Sequence, residues 1–159
     1  MGNDFGQFIE WDDRKELDWF LLDYPRHAQL QRFVRELNRF YRAHPAMWER
    51  DTDWTGFEWL NVDDADRSSV AFMRIAPDGE RIVCTFNFTP MTWELQLALP
   101  CAGMLRPALD SDAPCFGGGG TRGDAPIRTA AEEFLGRSHS ALVPLAPMSC
   151  AYYVFLPDE

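Results

Sequence analysis

Apolar residues recur at two different periods along this chain, and the change falls near residue 50. Upstream, Leu30, Phe33, Val34, Leu37, Phe40 and Tyr41 are spaced by threes and fours, which places them on one face of a helix over 25–43. Arg32, Arg35, Glu36, Arg39 and Arg42 take much of the remaining helix surface. Pro25 suits a first helical turn, and Pro45 stops the helix just past its end. From Phe57 onward the period becomes two, or gives way to short apolar runs. The segments 57–62, 69–75, 81–88, 93–99, 105–109, 140–144 and 152–156 are the expected strands. Between two of them, Pro77-Asp78-Gly79 is a turn, since proline fixes one backbone angle and glycine allows a positive φ. Short strands at near-regular spacing, with no helix between them, predict a mainly β chain built as an antiparallel β-sandwich. The Gly-, Asp- and Pro-rich stretch 110–130 reads as a long surface loop.

The chain therefore divides into two unequal parts, 1–50 and 51–159. A loop and one helix are too small to form a domain. Six bulky apolar side chains on one helix face must nevertheless pack against something.

Composition narrows the class. At 159 residues with 46% hydrophobic and 14% aromatic content, the chain is globular and can bury a core. The formal charge is −10 and Lys15 is the sole lysine, so nucleic acid and anionic membrane are not expected partners. The first fifteen residues are acidic where a signal peptide is basic, no apolar run reaches membrane length, and position 6 is Gly where myristoylation wants Ser or Thr. A cytoplasmic location is expected. The cysteines, Cys84, Cys101, Cys115 and Cys150, are scattered without metal-ligand spacing, and Cys84 inside a strand reads as a buried reduced thiol. Neither a metal nor a cofactor is expected.

Candidate catalytic patterns are incomplete. The glycine run 117–120 lacks the Lys-Ser or Lys-Thr of a phosphate loop. Asp51, Asp53, Thr55 and Gly56 match the first half of a calcium loop, but Val62 stands where a bidentate Glu is required. His27, His44 and His139 adjoin no nucleophile motif, and the carboxylates Asp12, Asp13, Asp63, Asp64, Asp66, Asp110 and Asp112 lie mostly in turn or loop contexts. The tryptophans say more. Five of the six (Trp11, Trp19, Trp48, Trp54, Trp59 and Trp93) precede residue 60. An exposed ring can stack on the C–H face of a sugar while a carboxylate takes its hydroxyls, and Glu10-Trp11, Asp18-Trp19 and Glu58-Trp59 have that composition. Burial in a core is the alternative for each ring.

Several stretches resemble the bacterial glycogen branching enzymes of the α-amylase superfamily. MGNDFGQFIEWDDRKELDWFLLDYP is similar to the segment closing their catalytic (β/α)8 barrel, and LQRFVRELNRFYRAHPAMWERD to the last barrel helix and exit. GFEWLNVDDADRSSVAFMRIAPDGERIVCTFNFTP resembles the start of their carboxy-terminal β domain, with LDSDAPCFGGGG and GRSHSALVPLAP as its late loop and penultimate strand. The resemblance implies that residues 1–50 are the end of a barrel and 51–159 an all-β domain of the α-amylase carboxy-terminal type. It implies that the Leu30–Tyr41 stripe packs against a barrel wall, most of which lies upstream; unless the stripe folds onto the sandwich, self-association through it is expected. It further implies a parent reaction that moves α-1,4-glucan segments onto 6-hydroxyls by a retaining mechanism. The catalytic carboxylates of that reaction sit on earlier barrel strands, so none is assigned here and the chain alone is expected to be inactive. Leu17, Asp18, Trp19 and Trp59 match motif positions for a glucan-contacting surface, with Glu10 and Trp11 as further candidates and α-glucan as the implied partner. Asp4 replaces a usual Glu, and Met104 stands where Trp is common. A freestanding glucan-binding module and a purely structural β domain are the alternatives.

Overall fold

The structure, a computed structural model, describes residues 1–158. One α-helix, α1 (Pro25–Ala43), precedes eight strands: β1 (Phe57–Asp64), β2 (Ser69–Ile75), β3 (Arg81–Asn87), β4 (Trp93–Leu99), β5 (Gly103–Asp110), β6 (Ile127–Arg128), β7 (His139–Leu145) and β8 (Ser149–Pro157). Six strands form one sheet in the order β1-β2-β3-β8-β5-β6, and β4 pairs with β7 in a second. Every pairing is antiparallel. The short β6 lies inside the segment that composition gives as a loop; two residues are too few for a period to register.

Alternation divides the strands between two cores. Val83 of β3 and Tyr153 and Phe155 of β8 face Leu95, Leu97, Leu99, Val143 and Leu145 of the smaller sheet. Each such side chain taken from water contributes about 1.5–3 kcal/mol. On the opposite face, Ile82, Cys84, Tyr152 and Val154 are also buried, together with Phe40 of the helix. The large sheet is therefore apolar on both faces, which is why its central strands read as runs and not as clean alternation.

That second core covers part of the helix stripe. The stripe does not await a barrel wall along its whole length. Phe40 is buried against the outer sheet face, Leu37 packs at its edge, and Phe33 meets Phe116 with ring centroids 5.3 Å apart. Leu30 and Tyr41 stay exposed on the same helix. The sheet's own outer apolar residues supply the cover. The helix exit is pinned as well: Glu80 accepts from the Ala46 backbone N–H at 3.0 Å and holds His44 Nδ1 at 2.6 Å.

Candidate functional site

The aromatic candidates lie outside the core. Trp11 is 50% exposed, Trp19 49% and Trp59 52%, so their burial, the alternative weighed from sequence, does not hold. They fall into separate groups.

The first group is built by the chain entering the helix. Phe5 is buried beneath Trp19, with ring centroids 5.2 Å apart, and the Phe5 carbonyl lies 2.7 Å from His27 Nδ1. The Asp18 backbone N–H donates to Gln7 Oε1 at 2.9 Å, which sets where the loop turns into the helix. An apolar groove opens beside it, lined by Phe8, Asp18, Phe20, Tyr24 and His27. Phe8 and Tyr24 stand edge-on to the His27 ring. Of the sequence candidates, Asp18 lines this groove and Trp19 covers its neighbour Phe5. Glu10 and Trp11 are exposed on the preceding loop and Leu17 is half-buried; none of the three lines the groove.

Trp59 belongs to a second group, on β1 at the edge of the large sheet. It stands edge-on to Phe57 (4.8 Å) and Phe72 (6.0 Å), and Phe72 stacks on Phe86 at 5.7 Å. Phe86 in turn lies parallel to Phe88, 6.2 Å away. Sequence reasoning missed this row, although the signal existed: Phe57 and Trp59, and Phe86 and Phe88, are pairs two apart, which a strand puts on one face. The same rule corrects the Glu58-Trp59 pairing. Consecutive strand residues point to opposite faces, and Glu58 is ion-paired with Arg137.

Several titratable groups are engaged in ion pairs. Asp51 pairs with Arg74, Asp64 with Arg67, and Asp110 with a buried Arg122. Among the described residues, no group of three or more His, Cys, Asp or Glu side chains is placed to hold a metal ion. The glycine run is ordered around Asp112, whose carboxylate accepts from the Gly119 and Thr121 N–H groups at 2.8 Å each. A side-chain carboxylate thus fills the hollow that an anion would take in a phosphate loop. Glycine is required at position 118, where an added Cβ would come 2.1 Å from the Asp112 carbonyl oxygen. Burial pushes the Asp112 carboxyl up, but donation by Thr121 and Gly119 outweighs it and leaves the group below the usual carboxylate value.

Comparison with known proteins places this geometry in context. The family model described as alpha amylase, C-terminal all-beta domain, matches residues 59–155. A 1,4-alpha-glucan branching enzyme from Nocardia farcinica is 43% identical over 153 residues, covering 96% of this chain and 21% of that protein. Branching enzymes from Halothermothrix orenii and Aromatoleum aromaticum are 38% and 37% identical, covering 96% and 100% of this chain and 25% of each relative. The chain spans a quarter or less of the length of these relatives.

Proposed function

Because the chain belongs to the family of α-amylase C-terminal all-β domains, we propose that it serves as the carboxy-terminal β portion of a 1,4-α-glucan branching enzyme. The observation that carries this reading is the identity of 37–43% with branching enzymes along nearly the full chain. In it, residues 1–50 close a catalytic barrel, residues 51–159 form the β domain, and the catalytic carboxylates lie outside these residues. The chain acts in the cytoplasm and contacts α-glucan, while its charge of −10 keeps nucleic acid away.

Glucan contact is favoured over a purely shielding role by Trp19 and Trp59, both half-exposed beside further aromatic rings. Electrophoresis through glycogen-containing gels tests it: the chain migrates more slowly than in plain gels, and W19A and W59A each lessen the retardation. Unchanged mobility of the unsubstituted chain removes glucan binding. Leu30 and Tyr41, left exposed on α1, serve self-association of the isolated chain. Sedimentation velocity at rising concentration checks this, with a strictly monomeric profile against it.

A further inference from the structure

At the far end of the aromatic row two surface hollows meet. One, of about 270 Å³, is lined by aromatic rings including Phe33, Phe86 and Phe88. The other, of about 200 Å³, is lined by Asp112 and the glycines Gly117 and Gly118. Ser111, Met148 and Ser149 line both, so the two form one continuous groove. We propose that this groove is a second α-glucan subsite, with Phe88 as the stacking platform and Asp112 and Ser111 as the hydroxyl partners. The proposal rests on the glucan-contact reading above and extends it to the end of β3, beside the start of β8.

The groove combines what a neutral, hydroxylated chain requires. Phe88 is 59% exposed, and Phe86 lies parallel behind it, so a flat apolar surface faces outward. The Asp112 carboxylate is held in place by the Gly119 and Thr121 N–H groups, at 2.8 Å each, before any ligand arrives. Ser111 Oγ accepts from the Cys150 N–H at 2.9 Å and keeps a second lone pair that a ligand hydroxyl can donate to. Arg26 donates to the Gly117 carbonyl at 2.7 Å and Arg32 lies over the Phe116 ring, so two guanidinium groups border the polar half and offset the Asp112 charge. A glucan presents C–H faces to the rings and hydroxyls to the polar half.

The walls are also fixed before any ligand arrives. Asn87 donates to the Met91 and Ala146 carbonyls at 2.7 Å each, and the Met148 N–H donates to the Thr89 carbonyl at 2.8 Å. These bonds lock the β3–β4 and β7–β8 connections together. Met148 is held at φ 47°, a left-handed conformation costly for a side chain with a Cβ, and is 69% exposed at the groove. A preformed site forfeits less conformational entropy on binding.

Maltoheptaose titrated into the ¹⁵N-labelled chain tests the groove by NMR. The amides of Phe88, Ser111, Gly118, Met148 and Ser149 are expected to shift together and saturably. F88A, which keeps a single cooperative melting transition, weakens that response by about three- to ten-fold, the value of one aromatic contact. W59A leaves the response in place. Shifts confined to the indoles of Trp19 and Trp59, with the groove amides still, overturn this subsite while the glucan reading stands. No saturable shift anywhere overturns both.

Discussion

Phe40 of α1 and Tyr152 of β8 face each other with ring centroids 5.2 Å apart, both nearly excluded from solvent. Through that contact the helix belongs to the same folded unit as the sheet, although the two differ in period and lie more than a hundred residues apart in sequence. F40A should therefore unfold the whole chain earlier, not the helix alone. Emptying such an aromatic site costs about 3 kcal/mol, the lower end of the usual range. For a chain of this size that lowers Tm by roughly 6–12 °C in a single cooperative transition. A two-step melt with the sheet's Tm unmoved would separate helix from sheet.

The thiols should differ widely in reactivity. Cys84 is fully buried on β3, and burial pushes its thiol up to about 12, whereas Cys115 is exposed. With Ellman's reagent at pH 8, Cys115 is expected to react first and Cys84 only after denaturant is added. The same burial carries a pH dependence. The folded-state value lies above the ordinary 9.0, so the folded chain holds the proton longer than the unfolded chain does. Stability from this group is complete below about pH 9 and falls as pH rises toward 12. C84A should flatten the alkaline limb of a Tm-against-pH curve; an unaltered limb would assign it to other groups.

Asp112 acts in the opposite direction. Its carboxyl sits below the usual value, so its contribution is present above the unfolded-state value and is lost as pH falls through the folded one. D112N removes the charge that the Gly119 and Thr121 N–H groups point at. Hydrogen exchange at those two amides should accelerate by on the order of ten-fold, the worth of one charge-assisted bond at a partly exposed site. Exchange as slow as in the unsubstituted chain would mean that the loop is ordered by other contacts.

Much of this architecture is legible in the sequence because it rests on strong local periods. The helix bounds follow from the Leu30–Tyr41 spacing and two prolines, and the strands from alternation that survives in β2, β4 and β7. What covers the helix is not legible. Phe33, Leu37 and Phe40 carry no mark that distinguishes them from Leu30 and Tyr41; the apolar outer face of β3 and β8 selects Leu37 and Phe40, and Phe116 selects Phe33. The order of the glycine loop is hidden for a similar reason. It depends on Asp112 reaching seven and nine residues ahead, a bond no local pattern encodes. The tryptophans were legible as candidates but not as groups. Trp19 lies over Phe5 and Trp59 joins the Phe57–Phe72 row, and those assignments come from the fold.

The proposed role is as the carboxy-terminal part of a branching enzyme whose catalytic carboxylates lie outside these residues. The most direct measurement is an iodine-staining branching assay on amylose with two proteins. One is this chain alone; the other is the Nocardia farcinica branching enzyme with its matching carboxy-terminal portion replaced by this chain. No loss of iodine colour is expected with the chain alone, and clear loss with the chimera. Branching by the chain alone, or a folded chimera without activity where the parent enzyme branches, would contradict it.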